Sequence, residues 1–199
     1  MLLMTLALIL VSVPAFAEEP VEVEFFGTED WINASIKVDN TRPWEIQFDI
    51  DFESITKYVL ADRWADTIEV LVRNNEVEQH FEFEVQAYCN NDTKYQIACS
   101  AKVVSKGAQI SDRPFNWSAN YEAPVTKVHA TLAYDGETFS WLVVNREDEA
   151  VMDEFTFNAA EIPEGLKAGT NCDLGFYRDP KYLVPDNFTF AYTDAQTVE

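Results

Sequence analysis

The stretch WEIQFDIDF, residues 44–52, places Trp44, Ile46, Phe48, Ile50 and Phe52 in strict alternation with Glu45, Gln47, Asp49 and Asp51. Successive side chains of an extended chain point to opposite faces, so this run predicts a long strand with one apolar and one wet face. A helix would scatter the same residues around its circumference. Residues 77–88 repeat the pattern. Val77, Phe81, Phe83, Val85 and Ala87 share one parity, and Glu78, His80, Glu82, Glu84 and Gln86 the other. Two half-buried strands of this length require a second apolar layer to cover them, which restricts the chain to packed sheets.

Further strands are predicted at 21–26, 67–72, 95–104, 125–134, 138–144, 154–157, 172–177 and 187–192. Tyr134-Asp135-Gly136-Glu137 lies between two of them, and Asp-Gly flanked by alternating runs predicts a hairpin with a type I′ turn. Residues 54–67 alone offer helical spacing, through Ile55, Tyr58, Val59 and Arg63. Pro114, Pro124, Pro163, Pro180 and Pro185 are expected in gaps between strands, where a missing N–H costs little. No repeat or composition shift divides the chain. The expectation is an all-β fold, a two-sheet antiparallel β-sandwich of jelly-roll type with at most one short helix. An immunoglobulin sandwich is disfavoured, since its Cys…Trp…Cys spacing is absent.

The chain opens MLLMTLALILVSVPAFAEEP, an uncharged apolar run closed by Ala15-Phe16-Ala17. That small-x-small ending predicts a signal peptide over residues 1–17 and a single domain over 18–199, secreted or periplasmic. The run is shorter than the roughly 20 residues of a membrane span, and no later segment reaches that length, so no span is expected in the mature chain. No Lys or Arg precedes the run, which departs from the usual signal pattern. With 35 acidic against 14 basic residues, net −21, nucleic acid and anionic membrane surfaces are excluded as partners, because phosphate contacts need clustered cations.

The same charge makes calcium the one candidate cofactor, with none otherwise expected. NREDEAVMDE (145–154) and NNDTK (90–94) are acidic or amide-rich, but neither has EF-hand spacing. His80 and His129 are too few for a zinc site, and no nucleophile-elbow motif accompanies them.

Three cysteines, Cys89, Cys99 and Cys172, leave one over after any disulfide. If NNDTK forms a short hairpin loop, Tyr95 lies opposite Cys89 and Cys99 opposite Val85, with the sulfurs about 13 Å apart and unbridgeable. If the loop is wide, a Cys89–Cys99 bond closes it, and this second arrangement is the one favoured from sequence. Four N-x-[ST] sequons, at Asn33, Asn91, Asn116 and Asn187, mark surface loops and strand ends and would carry glycans in a eukaryotic host.

The sequence VHATLAYDGETFSWLVVN (128–145), followed by IPEGLKAGTNCDLGFYRD and NFTFAYTDA, resembles the concanavalin A-like (laminin G or legume-lectin) superfamily over roughly residues 125–195. The resemblance implies a concanavalin A-like sandwich and a carbohydrate or other extracellular ligand. It also directs attention to glycoside hydrolases of the laminarinase kind, whose catalytic strand reads Glu-x-Asp-x-Glu or Glu-x-Asp-x-x-Glu. Here Glu78-x-His80-x-Glu82-x-Glu84 lacks the central Asp in every register. A retaining mechanism needs carboxyl groups about 5–5.5 Å apart, which same-face neighbours such as Glu82 and Glu84 can meet. On so acidic a chain, the plain reading of that row is a solvated strand face, with both carboxylates pointing to water.

Aromatic rings can stack on sugar faces. Trp44 and Trp141 alternate into the core, leaving Trp64, Trp117, Tyr177 and Tyr182 in loop-like sequence as ligand-binding candidates. Three functions stay open: a non-catalytic exported module binding glycan or another extracellular ligand, a structural or adhesive exported protein, and a polysaccharide hydrolase or lyase using Glu82 and Glu84.

Overall fold

The computed structural model describes residues 21–23, 31–51, 67–90, 94–177 and 187–194, with side chains described over 37–51, 68–87 and 95–176. The strands are β1 (Val21–Val23), β2 (Trp31–Val38), β3 (Trp44–Asp51), β4 (Thr67–Asn74), β5 (Gln79–Asn90), β6 (Lys94–Ser105) and β7 (Ala108–Trp117), then β8 (Lys127–Tyr134), β9 (Phe139–Asn145), β10 (Val151–Thr156), β11 (Cys172–Tyr177) and β12 (Asn187–Asp194). They form two six-stranded sheets, ordered β1-β12-β3-β8-β9-β10 and β2-β11-β4-β5-β6-β7, with antiparallel pairing throughout. Consecutive strands β4 to β7 and β8 to β10 run as meanders, and the terminal strands interleave between the sheets. The fold is the antiparallel β-sandwich that the alternation demands.

The apolar parities of β3, β5 and β9 lie in the core. Ile46, Phe48 and Ile50 of β3, Phe81, Phe83 and Val85 of β5, and Phe139, Trp141 and Val143 of β9 are all buried. Across the gap between sheets, Phe81 stacks on Phe139 with centroids 4.3 Å apart, and Phe83 stacks on Trp141 at 4.0 Å. Each such side chain contributes roughly 1.5–3 kcal/mol relative to an exposed one. Trp44 and Trp141 lie in this core, as expected.

Several expectations need correction. Strands β2 and β7 are additional to those expected; β7 carries weak alternation, whereas Ile32, Ala34, Ile36 and Val38 of β2 alternate with Trp31, Asn33, Ser35 and Lys37. Pro114 lies inside β7 rather than in a gap. It is tolerated there because β7 is a sheet-edge strand and carries two bulges on β6, one at Pro114-Phe115 and one at Ile110. The Asp-Gly hairpin joins β8 to β9, but through four residues: Tyr134 pairs with Phe139, and only Gly136 takes positive φ. Asp135 Oδ1 accepts the backbone N–H groups of Glu137 and Thr138 at 2.8 and 2.7 Å, so the aspartate shapes the turn through its side chain instead. The two-residue hairpin is the one at Lys106-Gly107, both at positive φ, between the paired Ser105 and Ala108.

The α-helix among the described residues is α1 (Glu164–Lys167), preceded by a 3-10 turn at Ala159–Glu161 that Asn158 and Glu161 close with a capping box. The helix expected at 54–67 lies outside the described residues except for Thr67, which begins β4.

The disulfide expectation is overturned. Cys89 pairs in register with Tyr95 and Cys99 with Val85, the short-hairpin arrangement, and Cys99 is a free, buried thiol. Four residues of strand, about 13 Å, separate Cys99 from the position opposite Cys89. Cys172 is also free and buried.

Candidate functional site

The outer face of the second sheet is assembled by register. One row across it runs Glu69 (β4), Glu84 (β5) and Ser100 (β6), ending at the Pro114-Phe115 bulge of β7. The next runs Leu71, Glu82, Lys102 and Asp112, and on the other side lies Gln86, Ala98 and Trp117. Beyond Leu71 come Arg73, His80 and Val104. His80, Glu82, Glu84 and Gln86 therefore do share one face, as their spacing requires, while Glu78 lies in the preceding turn at φ 54°.

That face is not simply wet, and here the structure corrects the sequence reading. Glu82 is only 6% exposed. Its Oε1 forms an ion pair with Lys102 Nζ, and its Oε2 lies 3.6 Å from His80 Nε2. Burial works against the Glu82 carboxylate, but His80 and Lys102 outweigh it and hold the group below the ordinary glutamate value. Glu84 is shifted the other way. Burial raises it, Glu82 adds to the rise, and the Ser100 hydroxyl, donating to Oε2 at 3.2 Å, offsets it only in part. Two carboxylates on one strand face are thus driven apart in acidity.

Beside them stand two exposed rings. Phe115 and Trp117 are 36% and 42% exposed, with centroids 5.9 Å apart. Both point outward because their neighbours on β7 point inward: Arg113 and Asn116 both donate to Asp153 of β10, in the other sheet. Small residues, Ala98 and Ser100, lie in the same rows between the rings and the Gln86 and Glu84 positions. The arrangement can stack a flat apolar face on the rings while hydroxyl and carboxyl groups contact its rim.

Of the four aromatic candidates, Trp117 belongs to strand β7 and Tyr177 ends strand β11, so neither is a loop residue. Tyr177 lies in register with Glu69, at the far end of the Glu84 row. Trp64 and Tyr182 lie outside the described residues. Phe115 was missed because β7 itself was missed. The signal was present in Lys106-Gly107 followed by ten residues ending in two aromatics at i and i+2. Among the sequons, Asn33 sits within β2 rather than in a loop and Asn187 begins β12, while Asn91 is outside the described residues. Asn116 is within β7 and donates its amide to Asp153 Oδ1 at 2.6 Å.

A second polar cluster lies on the opposite sheet. His129 Nδ1 is 2.8 Å from Asp49 Oδ1, and Arg146 is 3.4 Å from Asp49 Oδ2, at a hollow of about 480 Å³. Asp49 of β3 there meets His129 of β8 and Arg146, which follows β9. Among the described residues, no group of three or more His, Cys, Asp and Glu side chains is placed to hold a metal ion, and no helix is long and apolar enough to cross a membrane.

No family model and no curated protein matches the chain. Solved structures similar to it include the CBM2 module of the Lactobacillus casei BL23 phage J-1 evolved Dit, at 7% identity over 78% of this chain and 65% of that one, TM-score 0.43. The Bacteroides ovatus xyloglucan PUL GH43B matches at 12% over 89% of this chain and 40% of that one, TM-score 0.46. The exolytic PL7 alginate lyase AlyA5 from Zobellia galactanivorans matches at 9% over 80% and 74%, TM-score 0.40. At these identities and scores the likenesses bear on neither ligand nor activity.

Proposed function

We propose that this is an exported, concanavalin A-like glycan-binding protein, residues 18–199 after removal of residues 1–17, and that the outer face of β4 to β7 is its binding surface. The observation that carries this reading is the exposed Phe115–Trp117 pair, held outward in line with Glu84, Ser100 and Gln86. Two neighbouring rings exposed on a rigid strand lose little conformational entropy on binding, which is what a sugar-stacking platform requires. The Glu82–Lys102 ion pair supports a binding role over a catalytic one, since a carboxylate already paired with an ammonium is a weakened nucleophile. The test is affinity gel electrophoresis of the mature chain against a polysaccharide panel. Trp117→Ala should weaken retardation roughly 10- to 30-fold, as for a central aromatic contact, with thermal unfolding little changed. Retardation equal to wild type in both Trp117→Ala and Phe115→Ala would remove this face from consideration.

A hydrolase or lyase is the second reading, and one observation favours it. Glu82 and Glu84 are shifted in opposite directions, as the two carboxyl groups of an acid/base pair are. Reducing ends released from any member of the panel, and lost in Glu84→Gln, would establish it in place of the binding-only function.

A further inference from the structure

We propose that the face discriminates by charge, admitting uncharged glycans and rejecting polyuronates, and that Glu69 and Glu84 set this selectivity; the inference rests on the glycan-binding reading above. Glu69 and Glu84 stand directly opposite each other on β4 and β5, an arrangement of like charges that a sheet ordinarily avoids. In this row and the neighbouring one through Leu71, the described strand residues include four carboxylates, Glu69, Glu82, Glu84 and Asp112, and one ammonium, Lys102. Lys102 is bound to Glu82 on one side and lies opposite Asp112 on the other, so it is not available to a ligand carboxylate. Glu84 accepts from the neutral Ser100 hydroxyl. A sugar seated on Phe115 and Trp117 has its rim along this row. Hydroxyl groups can donate to the Glu84 carboxylate there, whereas a uronate would bring a further negative charge into a partly desolvated acidic row.

The chain's overall charge of −21 also repels polyanions, so the test must separate local from global charge. Affinity electrophoresis at low salt would compare neutral polymers (mixed-linkage β-glucan, galactomannan, xylan) with polygalacturonate and alginate. Wild type should be retarded by at least one neutral polymer and by neither polyuronate. The double variant Glu69→Gln/Glu84→Gln, with Glu84→Gln alone as a milder form, should raise the ratio of polyuronate to neutral-polymer binding on the order of tenfold, whatever neutral binding is lost with the Glu84 acceptor. The charge-matched control Glu137→Gln/Glu147→Gln, altered in turns away from the face, should show no such gain. Wild-type retardation by a polyuronate, or an equal response of variant and control, overturns the charge selectivity while leaving glycan binding in place. Retardation by no polymer overturns the glycan reading and the selectivity with it.

Discussion

Arg113 and Asp153 join the two sheets at one edge of the sandwich. Arg113 Nη1 and Nη2 donate to the two carboxylate oxygens of Asp153 at 2.7 and 2.6 Å, and the guanidinium lies 4.1 Å over the Phe155 ring. Asn116 donates to the same carboxylate. Strand β7 is thereby fixed on either side of its Pro114-Phe115 bulge, which turns Phe115 and Trp117 outward. Bidentate geometry of this kind is among the stronger side-chain interactions, and Asp153 is fully desolvated.

Asp153→Ala leaves the Arg113 charge without its partner in a largely buried site, and should lower stability by about 3–5 kcal/mol in urea unfolding. The double replacement Asp153→Ala/Arg113→Met should cost less than the two single changes added together. Additive losses would show that the pair is not coupled.

Glu84 has its folded-state acidity shifted upward, so the folded protein binds this proton more tightly than the unfolded chain. Its contribution is present below the ordinary glutamate value of 4.5 and is lost as pH rises through the higher folded value. Glu84→Gln should therefore raise Tm at pH 7 and leave it unchanged near pH 4. Glu82 has the opposite sign: its contribution is present above 4.5 and disappears as pH falls through its lowered folded value. Glu82→Gln should accordingly lose stability at pH 7 and little at pH 3. Parallel pH profiles for the two variants would contradict the assignment.

Cys99 is buried and its thiol is pushed up by desolvation, while burial raises the Cys172 thiol to about 11. Neither should react with a disulfide reagent until the protein unfolds, and both should react fully in guanidinium. Peptide mapping that finds a Cys89–Cys99 bond would refute the register of β5 on β6.

The Lys106-Gly107 turn places a lysine at φ 51° and a glycine at φ 75°. Gly107→Val should cost about 1–2 kcal/mol, and Lys106→Gly or Lys106→Asn should be neutral to mildly stabilising, as measured by thermal unfolding. A stable Gly107→Val variant would mean that the turn relaxes to another geometry.

The alternation in 44–52 and 77–88 was sufficient to fix the class of fold, because period-2 burial is a local property: each residue's parity assigns its face whatever strand lies alongside. The same parity placed Trp44 and Trp141 inside and gathered His80, Glu82, Glu84 and Gln86 on one face. Strand β7 escaped notice because its alternation is weak: an edge strand with two bulges, it is largely exposed on both faces and has no reason to keep it, whereas the alternation of β2 was legible in Ile32, Ala34, Ile36 and Val38. The cysteine register was decided by one quantity invisible in composition, the number of residues in the turn after Asn90, and the chain settled on the shorter turn that keeps β5 and β6 paired to their ends. Burial of Glu82, the opposed shifts of Glu82 and Glu84, and the alignment of Phe115 and Trp117 with them all depend on which strands become neighbours. Lys102, Ser100 and Asp153 lie 16 to 40 residues from their partners in the chain. Parity along a strand is written residue by residue in the sequence, whereas neighbours across a sheet exist only once the strands have paired, and it is those cross-strand contacts that give this face its charge and shape.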